Sequence, residues 1–350
     1  CKGLESVGET LAMRERLRQK LSRLLGCPAQ QLALTAGTSW GLLAVAHNRP
    51  WTSNDGVLLL TGEFPTNVTP WQRAAEQYGL RLEWLEASLF AGPQGLEALD
   101  QQLQRGLSLV ALSAVQFQSG LLMPVQEVVR LCHARGAEVC VDVIQAAGVV
   151  PLQLAEWDVD YAAGGAHKWL MGCKGAGYLY VSPQAARRWT HRWAGWLSHP
   201  EPVDFLMAEG QLRYNKPVRP EVQALEIGTS SGLSQVALEA SLDILLEVGI
   251  ESIYSHVQGY LDQREEPLRQ QGWTSLRHGQ QRSGSLSLLP PRGTGSARDW
   301  ALHLAGQGVR VSHPDGMLRL SPHWWNSLEE VPLVLDAFSS YSGTSRASSI

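Results

Sequence analysis

The sequence predicts an α/β protein: a large domain built on a mainly parallel sheet flanked by helices, then a smaller C-terminal α+β domain. Three observations carry this. From residue 31 to residue 181, short apolar runs alternate with segments of helical periodicity, the pattern of a doubly wound parallel sheet. The runs at 56–60, 107–115 and 138–142 are apolar at most positions and read as buried strands. The length of 350 residues suits one large domain plus a smaller one. Boundaries follow at 1–250 and 251–338, with a disordered tail over 339–350 rich in Ser and Gly.

Taken in order, residues 7–25 carry a helical apolar stripe, Leu11, Met13, Leu17, Leu21, Leu24 and Leu25, stopped by Gly26 and Pro28. This helix belongs to the large domain or packs with the small one, its arginines facing solvent or a subunit contact. A strand at 31–34 leads through a Gly-Thr-Ser turn into a helix at 40–46. The strand at 56–60 delivers a loop over 62–71, and a helix runs on to residue 78. A strand at 81–85, a helix at 96–103 and the strand at 107–115 follow, then an amphipathic helix at 124–135 with Pro124 near its start. The strand at 138–142 ends in Asp142. An apolar segment enters His167-Lys168-Trp169, and a glycine-broken turn at 172–177 leads to a strand at 178–181. From there to Pro220 the pattern weakens into loops, before a helix at 234–246. The small domain reads as helices at 253–271 and 297–307, with strands at 283–289, 309–311 and 317–320.

Composition excludes several classes of function. With 44% hydrophobic and 18% charged residues this is an ordinary globular chain, and a net charge of −4 offers nothing to nucleic acid or to an anionic membrane. No apolar run approaches the roughly 20 residues of a membrane span, and no signal-peptide pattern is present, so a cytoplasmic location is expected. The cysteines, Cys1, Cys27, Cys132, Cys140 and Cys173, are odd in number and lack C-x-x-C spacing. Neither a disulfide framework nor a metal site is expected.

Chemistry concentrates at Lys168. The chain has five lysines against 24 arginines, so few positions compete for a nucleophilic amine. A lysine between two strands sheds its proton when buried, as Schiff-base lysines require; the alternative is a structural lysine snorkelling from a strand end. Lys174, in the turn, reads as a solvated loop charge. Asp142, 26 residues upstream, closes a buried strand where open α/β sheets bind ligands. Pyridoxal 5′-phosphate (PLP) needs such a pair: a lysine for its aldehyde and a carboxylate for its pyridine nitrogen.

The segment VDVIQAAGVVPLQL followed by DVDYAAGGAHKWLMGCKGAGYLYV resembles the core of the class V aminotransferases. These are fold-type I PLP enzymes that include cysteine desulfurases, cysteine and cystine C–S lyases, isopenicillin-N-epimerase-like proteins and kynureninases. The resemblance spans about residues 35–330 and implies further roles. Thr38 and Ser39 would hold the cofactor phosphate at a helix start, although either could simply be an N-cap. Phe64 would stack on the pyridine ring, where desulfurases place a histidine; ordinary loop packing is its alternative. Gln145 would reach the ring oxygen, His167 the phosphate, and Gln116 the cofactor hydroxyl or the substrate. Many relatives have a serine where Gly165 stands, so one phosphate hydrogen bond is missing. Residues 225–230 resemble an E-x-G-T motif whose threonine, here Thr229, contacts the neighbouring subunit's phosphate and so implies a homodimer; an N-cap for the next helix is the alternative. Residues 316–323 resemble the G-x-x-R-x-S-P-H motif of the epimerase-like branch, making Arg319 the clamp for the substrate α-carboxylate, unless it pairs with a core carboxylate. Relatives also carry an N-terminal segment covering the active site, expected to lie ahead of Cys1.

The resemblance implies a class V aminotransferase-like enzyme acting on a small amino acid, with a cysteine or cystine C–S lyase or an epimerase as alternatives. A catalytically inactive PLP-fold binding protein is the alternative of another class. A persulfide-forming desulfurase is not expected, because no cysteine follows Cys173 and Phe64 replaces the ring histidine.

Overall fold

The computed structural model describes residues 5–279 and 281–341. Its helices are α1 (Glu5–Leu25), α2 (Thr38–Asn48), α3 (Thr69–Tyr78), α4 (Gln94–Leu103), α5 (Val125–Ala134), α6 (Pro183–Ala186), α7 (Asp204–Met207), α8 (Gly232–Val248), α9 (Ile250–Gln270), α10 (Ala297–Gly306) and α11 (Glu330–Ser339). Its strands are β1 (Leu32–Thr35), β2 (Gly56–Leu60), β3 (Arg81–Leu85), β4 (Leu109–Ser113), β5 (Glu138–Asp142), β6 (Tyr161–Gly165), β7 (Gly177–Val181), β8 (Thr274–Ser275), β9 (Leu286–Leu289) and β10 (Leu318–Leu320).

Seven strands form one sheet in the order β1-β7-β6-β5-β4-β2-β3. The pairs β3/β2, β2/β4, β4/β5 and β5/β6 are parallel, and β7 runs antiparallel to both β6 and β1. Alternate residues of one strand feed two apolar layers. Leu58, Leu60, Val110, Leu112, Val139 and Val141 enter one layer; Val57, Leu59, Leu109, Ala111 and Cys140 enter the other. Burial on both faces explains why these strands read as near-continuous apolar runs. The C-terminal ends of β1, β2, β4, β5 and β6 share one edge, where ligands of open α/β sheets bind.

Three arginines of α1 pair with acids elsewhere in the chain, while Arg23 is exposed. Arg16 pairs with Glu239 at 2.7 Å and Lys20 with Asp243 at 2.7 Å, both acids on α8. Arg14 and Arg18 converge on the buried Glu226, which also accepts the Leu34 N–H at 2.9 Å. These partners all lie within residues 1–250, although the sequence left open a packing of this helix on the small domain.

A second, antiparallel sheet has the order β10-β9-β8. Three details depart from expectation. Residues 283–285 do not extend β9, because they dock on the loop after β4 and on Trp169: the Ser283 hydroxyl donates to the Gly120 carbonyl, and Gly284 lies against Trp169. No strand forms at 309–311. Val309 N–H closes back onto Leu304 O at 2.8 Å after Gly308 turns with φ +83°, leaving a single bridge between Ser312 and Arg319. At the C-terminus, Ser339 completes α11 and the Tyr341 ring lies 4.1 Å from that of Trp300, so the expected tail does not begin at 339. The rest of that tail, 342–350, lies outside the described residues. Among the described residues no helix is long and apolar enough to cross a membrane, and no group of acidic, His or Cys side chains could hold a metal.

Candidate active site

A cavity of about 520 Å³ opens at the shared strand edge. Thr38, Ser39, Phe64, Asp142, Gln145, His167 and Lys168 line it together.

The Gly-Thr-Ser turn forms because two glycines meet. A side chain on Gly177 would lie 2.6 Å from the Gly37 Cα, and Gly37 itself has φ +151°. Gly37 is the N-cap of α2 and no side chain caps the helix, so Thr38 and Ser39 are not spent as caps. The Thr38 hydroxyl is buried without a hydrogen-bond partner, and Ser39 shares a 2.6 Å hydrogen bond with Thr66. A helix start with free N–H groups and an orphan hydroxyl is an anion cradle. Gly165 stands against it: a Cβ there would come within 3.1 Å of the Thr38 Oγ1 and 3.3 Å of Ile144.

Asp142 ends β5 and is 3% exposed. One carboxylate oxygen accepts the Ile144 N–H at 2.9 Å. Burial pushes its pKa up to about 6, against the pull of that N–H and of Lys168. Lys168 follows β6, half-buried, with its amine 5.8 Å from the centre of the Phe64 ring. Burial lowers its pKa and Arg319 adds to that, while Asp142 opposes it. Burial likewise lowers His167, helped by Lys168 and Lys174. The cavity thus holds an amine biased toward its neutral, nucleophilic form and a carboxylate in need of a cation.

Gln145 receives the indole N–H of Trp169 on its oxygen at 3.1 Å, leaving its amide nitrogen as a donor. Phe64, 47% exposed, meets Phe117 edge-on with ring centres 5.3 Å apart.

Three expected residues are placed elsewhere. Gln116 does not line this cavity. Its amide is consumed elsewhere, donating to the Gly62 carbonyl of the loop after β2 and accepting the N–H groups of Gln118 and Ser119 in its own loop at 2.7 Å each. Arg319 also stands outside the lining: it donates to the Phe117 carbonyl, its Nε is buried without a partner, and among the described residues it has no carboxylate pair. Thr229 is exposed and outside the lining.

Other residues escape sequence reasoning. Phe117, Thr66 and Ser113 line the cavity, and Lys174, which reads as a solvated loop charge, is exposed but reaches its wall. Glu63, beside Phe64, clamps its loop to β4 by accepting both the N–H of Ser113, at 2.6 Å, and its hydroxyl. Burial pushes Glu63 up to about 7, with Asp142 adding to the effect. The only sequence signal for Glu63 is its position in the loop that delivers Phe64.

The donor set fits PLP. Thr38, Ser39 and His167 suit a phosphate, the Gln145 amide an anionic ring oxygen, Lys168 an aldehyde, and Asp142 a pyridinium nitrogen.

Comparison with known proteins agrees. Residues 4–321 match the family described as aminotransferase class-V. An uncharacterized aminotransferase of Bacillus subtilis (strain 168), YcbU, is 22% identical over 329 residues, covering 94% of this chain and 84% of its own. Among solved structures, the cystine C-S lyase C-DES in complex with its reaction product cysteine persulfide superposes with a TM-score of 0.87 at 21% identity, covering 96% of this chain and 88% of that one. The apo cysteine desulfurase of Thermococcus onnurineus NA1 gives 0.83 at 22% identity, covering 95% and 84%. With a family match over nearly its whole length and a cavity whose side chains suit each part of the cofactor, this chain belongs to the class V aminotransferase family of PLP-dependent enzymes.

Proposed function

We propose that the protein acts on a small amino acid, using Lys168 as the amine that bonds the cofactor aldehyde and then as the base for the substrate Cα proton. The observation that carries this is the joint presence of Lys168 and Asp142 on one cavity beside the orphan Thr38 hydroxyl. When bound, PLP supplies an electron sink for a bond broken at the amino-acid Cα. The chain supplies the rest. Burial favours the neutral Lys168 amine, which a base requires. Asp142, ionised against a ring nitrogen, holds a proton there. Phe64 offers a face for stacking but cannot move protons. Arg319, with an unpartnered Nε, offers a guanidinium fork to an α-carboxylate once it turns from the Phe117 carbonyl. Exposed on the protomer, Thr229 is open to a partner's site in the homodimer we propose. A cytoplasmic location belongs to the same reading.

Amino-group transfer is our first reading. Cysteine or cystine C–S cleavage is the second, favoured by the fold shared with the cystine C-S lyase. Against a persulfide on a protein cysteine stand two observations: among the described residues no cysteine lines the cavity, and residues 174–350 contain none. The test is to incubate the PLP-loaded protein with a panel of amino acids that includes cysteine and cystine. Loss of the cofactor's visible absorbance, restored by a keto acid, supports amino-group transfer. Accumulating keto acid and ammonia, with sulfide released from cysteine or cysteine persulfide from cystine, while the absorbance is retained supports the lyase. Neither outcome with any amino acid sinks both.

A further inference from the structure

We propose that Trp169 and His323 are positioning residues, a hydrogen-bond relay by which the small domain sets the orientation of Gln145 against the cofactor. The proposal rests on the PLP reading above and concerns a tryptophan and a histidine that reading does not use.

Gln145 lines the cavity, and its amide could present either its oxygen or its nitrogen there. The Trp169 indole N–H decides. It donates to the Gln145 oxygen at 3.1 Å, which leaves the donor end for the ring oxygen of the cofactor. Trp169 directly follows Lys168, is 6% exposed, and is seated in space cleared for it. A Cβ on Gly148 would lie 2.6 Å from the Trp169 carbonyl oxygen, and one on Gly284 2.9 Å from its ring. Gly148 has φ +104°, so its backbone is already one that favours glycine.

The Trp169 carbonyl accepts from Nε2 of His323 at 2.9 Å. Nδ1 of His323 accepts the Trp324 N–H at 2.8 Å, and a ring nitrogen that accepts carries no proton. The proton therefore sits on Nε2, and the neutral ring donates toward Trp169. The backbone N–H of His323 is held by the Asn326 side chain at 2.9 Å, and its ring stacks on Trp325 at 4.5 Å with the planes 6° apart. His323 comes three residues after β10, the strand that carries Arg319. One short segment therefore touches the active site twice: Arg319 on the Phe117 carbonyl and His323 on the Trp169 carbonyl.

The test is a double-mutant cycle read by PLP affinity, titrating PLP into the apo protein, alongside the melting temperature of each apo variant. Trp169→Phe keeps the ring and removes the donor; Gln145→Leu removes the amide. Each should weaken PLP binding by about five- to tenfold, the worth of roughly one hydrogen bond. The double variant should be no weaker than Gln145→Leu alone, because Trp169 acts through Gln145. His323→Ala should weaken binding, and His323→Gln, which keeps a side-chain N–H donor, should recover most of the loss. Losses from Trp169→Phe and Gln145→Leu that simply add overturn the relay, as do affinities that follow the apo melting temperatures across the variants. Wild type lacking a Lys168-dependent visible band overturns the PLP reading and the relay together; the band with an additive cycle overturns the relay alone.

Discussion

Asp142→Asn should affect the empty and the loaded protein in opposite directions. The carboxylate is 3% exposed at the end of β5, and burial raises its pKa from 3.8 to about 6. Between those two values the folded protein keeps a proton that the unfolded chain has shed. Apo stability therefore falls as pH rises through that window and is level above it. The lost stability is the shift multiplied by about 1.4 kcal/mol per unit, on the order of 3 kcal/mol. Asparagine preserves the shape and can still accept the Ile144 N–H, but it has no charge to bury. At pH 8 the apo variant should match or exceed wild type by up to that amount, about 4 °C for a chain of this length. PLP binding should weaken by at least tenfold, because the pyridine nitrogen loses its anion. Thermal melts of apo protein at pH 4, 6 and 8, with PLP titrations at pH 8, read both effects. An apo variant several degrees less stable than wild type at pH 8, or unchanged PLP affinity, would refute the reasoning.

Glu63→Gln should remove a second component of the same slope: burial raises Glu63 from 4.5 to about 7, so wild-type apo protein loses stability as pH rises through that interval and the variant should not. Apo melts at pH 5 and pH 7.5 check this, and an unchanged slope would remove Glu63 from the account. Arg319→Ala should raise KM for amino-acid substrates by roughly one to two orders of magnitude while PLP affinity holds, since a guanidinium–carboxylate pair is lost; steady-state kinetics with parallel PLP titrations decide, and an unchanged KM would remove Arg319 from the substrate site. Cys173→Ser should leave turnover of cysteine intact, because Cys173 is exposed and outside the cavity lining. Loss of sulfur release in that variant would reinstate a persulfide route.

The parts of the site legible in the sequence are those that strand geometry places. Asp142 and Lys168 flank the ends of neighbouring parallel strands, β5 and β6, which the apolar runs of those strands locate; Thr38 opens the helix after β1, and its role comes from the family resemblance. Loop residues are harder. At 116–117 the chain has left β4, so the period of two no longer fixes side-chain direction, and it is Phe117 rather than Gln116 that enters the cavity. Gln116 turns back because the two N–H groups after it need an acceptor. Beyond its place in the Phe64 loop, Glu63 gives no signal, because its burial depends on Ser113, 50 residues away in sequence. The Trp169–Gln145 bond spans 24 residues and the His323–Trp169 bond 154, and no local pattern announces either.

The most direct test of the central claim is the visible absorbance of PLP-loaded wild type beside Lys168→Ala. The wild type should be yellow, and the variant should lose that band while still binding PLP through Thr38, His167, Gln145 and Asp142. The same visible band in both proteins would show that Lys168 does not hold the cofactor.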